Sequence, residues 1–192
     1  MRCLVCLTAA SFACAPNDAT SRSRSGDARA AVLELTPEWR AAIGDSVRAM
    51  LFDYADTQNR LPIDPEWIPE HFEPDYVVGS DVSGSLTMFG YDAFAASVAR
   101  GHPLKPLWMR TFQFQWDSLY VAALAPGAAS YVGRYTEHFT DTTGVEWVTG
   151  GIMGASAIHT ANGWRLRTGV AAHDTASERV WVELEKRHAP RP

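Results

Sequence analysis

The chain has 192 residues and a formal charge of −5, with 46% hydrophobic and 20% charged residues. This length suits one domain with terminal extensions, and the composition is that of an ordinary globular protein. The sequence has no basic patch or run of Lys and Arg, which argues against nucleic-acid binding. It also has no apolar stretch of about 18 residues that could form a membrane-spanning helix.

All three cysteines, Cys3, Cys6 and Cys14, lie at the N-terminus. Cys3 and Cys6 have the spacing of a redox or zinc pair, but no second ligand pair follows them. Residues 1–14 are instead typical of a signal sequence, because Arg2 precedes a short apolar run. A cleaved signal without lipid and an ordinary N-terminus remain alternatives.

The residues before Cys14 are Ser11, Phe12 and Ala13. They resemble the lipobox of bacterial lipoproteins, although Ser11 stands where that family usually has Leu. The resemblance implies lipidation at Cys14 and an exported protein held at the cell envelope by a lipid anchor alone. Residues 15–29 are rich in Ser, Ala, Asp and Arg and almost free of larger apolar side chains, which predicts a flexible tether over 15–35.

The predicted domain spans 36–175 and begins with a long helix, for which Thr36 is the expected N-cap and Pro37 the first residue. Apolar residues then recur at spacings of three and four up to about residue 59, at Trp39, Ile43, Val47, Met50, Leu51 and Tyr54. A short helix is expected around 64–71, a strand at 76–79, a loop at 80–84 and a second substantial helix at 91–100.

From residue 108 the hydrophobic period changes from that of helices to two, which predicts an antiparallel sheet. Strands are expected at 108–116, 119–124, 129–140, 145–160 and 164–172. Asn162-Gly163 between the last two is a strong hairpin signal. Residues 175–187 fit a helix or a strand equally well, and 176–192 are assigned as a C-terminal tail.

This order of elements, with Asn162-Gly163-Trp164-Arg165-Leu166 opening the last strand, resembles the NTF2-like superfamily and its SnoaL-like branch. The resemblance implies an α+β fold in which the N-terminal helices pack inside a strongly curved antiparallel sheet. It also implies a cone with an apolar pocket at its wide end and a homodimer formed through the outer face of the sheet. Fold alone does not give function.

Two positions depart from that pattern. SnoaL-like final strands often carry a His six residues after the Trp, and here that residue is Val170. His173 lies three residues further on and faces away from Trp164 on strict alternation, unless a bulge intervenes. The acidic base of the ketosteroid-isomerase relatives has its nearest counterpart in Asp81, one residue out of register.

The candidate catalytic residues are Asp81 and His138. A half-buried carboxylate in apolar surroundings can act as a base, and a His on a sheet that lines a pocket can carry protons. His138 shares one face of its strand with Arg134, while Tyr135 and Glu137 share the other. Only one of these faces can line the interior of the cone.

The candidate ligand-binding residues are aromatic side chains beside loops or with polar tips that need partners. They are Tyr54, Trp67, Trp108, Tyr135 and Trp147. No HExxH or other metal-ligand spacing occurs, and no cofactor motif occurs, so neither a metal nor a cofactor is expected.

These observations predict a domain that binds a small apolar or aromatic ligand. The first alternative is a SnoaL-like enzyme that carries out acid–base isomerisation, dehydration or hydrolysis. The second is an interaction module that uses the face of the sheet.

Overall fold

The computed structural model describes residues 34–60, 67–82, 85–99 and 108–188. The helices there are α1 (Pro37–Gln58), α2 (Trp67–His71), α3 (Tyr91–Ala99) and α4 (Thr175–His188). The strands are β1 (Phe72–Val82), β2 (Ser85–Gly90), β3 (Met109–Ala125), β4 (Ala128–Asp141), β5 (Glu146–Thr160) and β6 (Gly163–His173). They form one sheet in the order β2-β1-β6-β5-β4-β3, in which only the β1–β6 pair is parallel. The predicted α+β class is confirmed.

Helix α1 begins as the sequence predicts. The Thr36 hydroxyl accepts a hydrogen bond from the backbone N–H of Trp39, and Pro37 opens the first turn. The residues it buries against the sheet include Val47 and Leu51, both fully buried. Trp39, which the periodicity placed on the apolar face, is 57% exposed because the buried stripe starts one turn later, at Ile43.

The C-terminal end of α1 is fixed to the middle of β3 by side-chain hydrogen bonds. The Asn59 amide donates to the Phe114 carbonyl, and the Asn59 carbonyl oxygen accepts from the Phe114 backbone N–H. The Trp116 indole N–H donates to the Leu51 carbonyl at 3.1 Å. The Asn59 bonds pair backbone groups of β3, which is the last strand of the sheet order, and together with the Trp116 bond they set the position of α1 across the sheet.

Several predicted elements change their limits in the structure. The strand predicted at 76–79 extends through the expected loop to Val82 and pairs with β2, an unpredicted strand. The two strands predicted at 108–116 and 119–124 are one strand, β3, which carries a register shift between Trp116 and Ser118. Asp117 and Ser118 conceal this continuity in the sequence, because a strand can continue through a bulge.

Residues 176–188 of the segment assigned as a C-terminal tail lie in helix α4. Of the two alternatives for this segment the helix is correct, since Val180, Trp181 and Leu184 lie on one helical face and Leu184 is fully buried. The packed structure thus continues beyond residue 175, at least to His188.

Two apolar clusters fill the interior. One lies between α1, α2 and the sheet and includes Leu51, Tyr54, Trp67, Phe72 and Leu166. The other lies where α4 meets the sheet and includes Met109, Phe112, Phe114, Tyr135, Phe139 and Leu184.

The faces of β4 are clearly separated. Tyr131, Tyr135 and Phe139 are 2–3% exposed and face the interior, whereas Val132 and His138 face outwards. The face shared by Tyr135 and Glu137 is therefore the one that lines the interior.

Candidate functional site

Helix α4, β4 and β6 bring a carboxylate and an imidazole together on the interior face of the sheet. Glu137 lies two residues after Tyr135 on β4, and His173 is the last residue of β6. Their side chains are 14% and 13% exposed, and Glu137 Oε2 lies 3.8 Å from His173 Nε2. A half-buried pair of this kind can hold and move a proton.

A bulge in β6 places His173 on this face. Leu166 pairs with Ala157 and Thr168 pairs with Ser156, so Arg167 is the additional residue on the β6 side. The bulge changes the alternation, and as a result Trp164, Leu166 and His173 all face inwards. Val170, at the position where the resemblance expects a His, is half exposed on the outer face.

Neighbouring side chains orient both members of the pair. The Thr149 hydroxyl donates to Glu137 Oε2 at 2.8 Å, and the Trp181 indole N–H donates to His173 Nε2 at 3.1 Å. Within the described part of the chain, no hydrogen bond engages the second oxygen of Glu137.

Aromatic rings surround the pair. Phe114 stacks on Tyr135 with 5.2 Å between ring centroids, and Tyr54 meets the edge of Phe114 at 6.3 Å. The His173 ring lies 6.2 Å from Tyr135 and 5.7 Å from Trp181. These rings give the pair apolar surroundings.

The phenols of Tyr54 and Tyr135 stay protonated at neutral pH. Burial raises the pKa of each phenol, and the negative charge of Glu137 raises both pKa values further. The interior thus holds two neutral phenols, of which that of Tyr54 is hydrogen-bonded to Gln58. Such donors can stabilise negative charge that develops on a bound oxygen.

Of the two predicted catalytic residues, His138 does not join this pair. His138 is exposed on the outer face of β4, next to Glu137 in sequence but on the opposite side of the sheet. Asp81 lies in β1 opposite Leu86 of β2 and Ala172 of β6, and its side chain lies outside what the structure describes.

The predicted ligand-binding residues lie in three places. Tyr54 and Tyr135 are buried on the interior side of the sheet. Trp67 is 1% exposed and packs against Tyr54 and Phe72 in the cluster beneath α1.

The remaining two predicted binding residues, Trp108 and Trp147, lie around the C-terminal end of α4. The Trp108 ring stacks on His188 at 4.6 Å, and the Trp147 indole N–H donates to Asp141 Oδ2. Asp141 is fully buried, and its hydrogen bond from the Thr143 hydroxyl is the main reason that its pKa is held well below the ordinary value. This second polar cluster fixes the turn after Asp141 and the C-terminal end of α4.

Sequence reasoning found Glu137 and Tyr135 as one of two possible faces, but it missed the pairing with His173 and the roles of Thr149 and Trp181. The bulge at Arg167 has no sequence signature of its own. In the part of the chain that the structure describes, no three His, Cys, Asp or Glu residues lie close enough together to hold a metal ion, and no helix is long and apolar enough to cross a membrane.

The sequence matches no protein-family model and no curated protein. Solved structures do match. A proposed scytalone dehydratase from Novosphingobium aromaticivorans superposes with a TM-score of 0.59 at 13% identity, over 73% of this chain and 89% of that one. A proposed aromatic ring hydroxylase from the same organism gives 0.55 at 16% identity, over 67% and 86%.

A nuclear transport factor 2 (NTF2-like) superfamily protein from Salmonella enterica gives a TM-score of 0.52 at 12% identity, over 72% of this chain and 92% of that one. These identities are too low to carry over an activity or a residue role. What the three structures share with this chain is the arrangement of helices and sheet.

Proposed function

We propose that this chain, which has the NTF2-like fold, binds a small apolar or aromatic molecule in its interior and transfers a proton to or from it. The observation that carries the proposal is the half-buried pair of Glu137 and His173 on the interior face. The aromatic walls supply the apolar contact area, and the carboxylate supplies the chemistry.

The geometry fits proton abstraction next to a carbonyl group. The free oxygen of Glu137 would take a proton from the carbon, the electron pair of that C–H bond would form a double bond to the carbonyl carbon, and the π pair of the C=O bond would move to the oxygen. The neutral phenols of Tyr54 and Tyr135 would then donate hydrogen bonds to the enolate. Return of the proton to another carbon gives isomerisation, and loss of a β-hydroxide, which takes up a proton and leaves as water, gives dehydration.

The proposal is tested by exchange of carbon-bound hydrogen in D₂O, followed by proton NMR with a panel of indanones, tetralones and hydroxylated aromatic ketones. We expect the wild-type protein to accelerate exchange next to the carbonyl of at least one member. A positioned general base contributes roughly 100- to 10,000-fold, so Glu137→Gln should lose a factor within that range. The matched control is His138→Gln, which removes the titratable group of the outer face and should keep the wild-type rate.

Binding of a panel member without any exchange would overturn proton transfer and leave a ligand-binding domain. The absence of both binding and exchange would overturn the proposal as a whole.

A second copy of the chain is the proposed partner of the outer face of the sheet. Tyr120, Val132, Val148, Ile152 and Val170 share this face and are 50–71% exposed. Tyr120, Val132 and Ile152 line an open depression of about 440 Å³ together with Arg134. Exposed apolar patches of this kind mark interaction surfaces, and homodimers with twofold symmetry are the commonest assemblies.

We also propose that the chain is exported and anchored through Cys14, a residue outside the described part of the structure. Mass spectrometry of membrane-extracted protein should show acyl chains on Cys14. An unmodified and soluble Cys14 would contradict the anchor without bearing on the interior site.

A further inference from the structure

Trp181 makes a hydrogen bond that constrains the chemistry of His173. An indole N–H can only donate, so the Nε2 atom 3.1 Å away must accept. A neutral imidazole that accepts at Nε2 carries its proton on Nδ1. The contact therefore selects one of the two neutral tautomers of His173 and disfavours the imidazolium.

The same Nε2 atom lies 3.8 Å from Glu137 Oε2. It cannot accept a hydrogen bond from Trp181 and donate one to Glu137 at the same time. Two arrangements of the pair thus exclude each other. With Trp181 in place, Nε2 of His173 carries no proton that could pass to Glu137; without Trp181, Nε2 can carry one and donate it to Glu137.

Packing fixes the Trp181 indole in the position from which it donates. Its ring stacks on Phe139 at 5.5 Å and lies 6.2 Å from Trp108. Two hydrogen bonds hold the first turn of α4 against β5. The Ser177 hydroxyl accepts from the Gly150 backbone N–H at 2.7 Å, and the Ser177 N–H donates to Asp174 Oδ1. The donor is thus preorganised by the helix and its cap.

We propose that Trp181 is a positioning residue that keeps His173 neutral with its proton on Nδ1 and so makes Glu137 the proton acceptor of the pair. This inference rests on the proposed function for its catalytic meaning, but the tautomer is a property of the protein alone. The other ionisable groups around the pair are Tyr135 on β4, Tyr54 on α1 and Asp174 at the start of α4, and Arg134 acts on Asp174 from the outer face.

The test is the tautomer of His173, read from its two ring-nitrogen shifts in ¹⁵N-labelled protein above the pH at which the ring titrates. The resonance is assigned by its loss in His173→Gln. We expect Nδ1 to be the protonated nitrogen in the wild type. Trp181→Phe keeps the aromatic packing but removes the N–H, and the proton should then move largely to Nε2, from which it can reach Glu137.

Val180→Ala is the matched control, because it trims the same packed face of α4 without removing the donor, and it should keep the wild-type tautomer. An Nε2-protonated ring in the wild type, or an unchanged tautomer in Trp181→Phe, would overturn the proposal. Should Trp181→Phe fail to fold, solvent exchange of the Trp181 indole proton serves instead: it should be slow in the wild type and faster in His173→Gln, and equal rates would overturn the proposal.

The two proposals fail separately. Loss of the tautomer preference would leave Glu137 as a base that acts without help from Trp181. An Nδ1 tautomer in a protein that exchanges no substrate hydrogen would keep the positioning role and remove the proposed reaction.

Discussion

At the residue scale, the site depends on a carboxylate and an imidazole that the backbone brings to 3.8 Å from strands separated by β5. Two local features make this possible. The bulge at Arg167 turns His173 inwards. Gly150 and Gly151 of β5 let the backbones of β4 and β6 pack closely against β5 from either side. The chemistry therefore depends on small residues that take no part in it.

Gly151 is the most constrained of these glycines. It pairs with His173, and a Cβ there would collide with the Ala172 carbonyl oxygen and lie 3.0 Å from His173 Cα. We expect Gly151→Ala to lower the free energy of unfolding by an amount at the upper end of about 1–3 kcal/mol. Urea unfolding measures this, with Gly127→Ala as control, since a Cβ at Gly127 meets nothing within 4 Å. Equal stabilities would mean that β6 is not held against β5 at this level.

Asp141 predicts a pH dependence of stability. Its pKa is lowered in the folded state by hydrogen bonds from Thr143, Trp147 and Val145, so the stabilisation is fully present above the unfolded pKa of about 4 and is lost as the pH falls below it. Wild-type melting temperature should therefore fall more steeply than that of Asp141→Asn between about pH 4 and pH 2. At neutral pH the variant should melt several degrees lower, because the amide nitrogen cannot accept these bonds.

Thr142→Ala, in the same turn but at an exposed position, is the control for disturbance of the turn itself and should melt as the wild type does. Parallel pH curves for wild type and Asp141→Asn would show that Asp141 does not hold this end of the sheet.

At the element scale, α4 contributes both to the apolar core and to the proposed site. It completes the apolar cluster through Leu184 and supplies Trp181 to the site. The helix carries its own start signal, since Asp174 accepts from the Ser177 N–H in the manner of an N-cap.

Leu184 is fully buried, so Leu184→Ala should reduce the free energy of unfolding by about 2–5 kcal/mol through lost burial and a residual cavity. Chemical denaturation of this variant beside Glu183→Ala checks the expectation. The control replaces an exposed neighbour and should stay within about 0.5 kcal/mol of the wild type. A small effect at both positions would mean that α4 contributes little to the fold.

The elements that the sequence predicted well are those with strong local signals. Thr36 and Pro37 gave the start of α1, and Asn162-Gly163 gave the last hairpin, in which Gly163 has φ of 96°. The sequence did not predict strand β2. Residues 80–84 are polar or Gly and indicated a loop, whereas the pairing of β2 with β1 is visible only in the folded structure.

The site was only half predictable for a similar reason. Alternation gave the two faces of β4, but which face is interior depends on how the sheet curves around α1. The inward turn of His173 depends on a bulge whose extra residue, Arg167, looks like any exposed strand residue. Trp181 lay in a segment where helix and strand patterns were equally good.

At the scale of the whole molecule, the two faces of the sheet have separate proposed roles. The interior face holds the acid–base pair and the aromatic walls, and the outer face carries the exposed apolar residues of the proposed dimer. The solved structures of similar shape share this architecture at sequence identities of 12–16%. At such identities the likeness shows the fold alone, and the chemistry has to be argued from the residues of this chain.

The dimer proposal predicts the effect of a charge on the outer face. Val132→Glu places a carboxylate among apolar residues that would be buried between two copies, so sedimentation velocity should show a monomer. Phe52→Glu makes the same change at an exposed apolar position on α1 and should leave a dimer. A wild-type protein that sediments as a monomer at all concentrations would contradict the assignment of this face.

The central claim is that Glu137 is the base of an interior acid–base site. Its most direct test is the ratio of hydrogen-exchange rates between wild type and Glu137→Gln on the most reactive aromatic ketone of the panel. We expect the wild type to exchange about 100 times faster than Glu137→Gln or more, and His138→Gln to exchange at the wild-type rate. A ratio near one, or an equal loss in both variants, would contradict it.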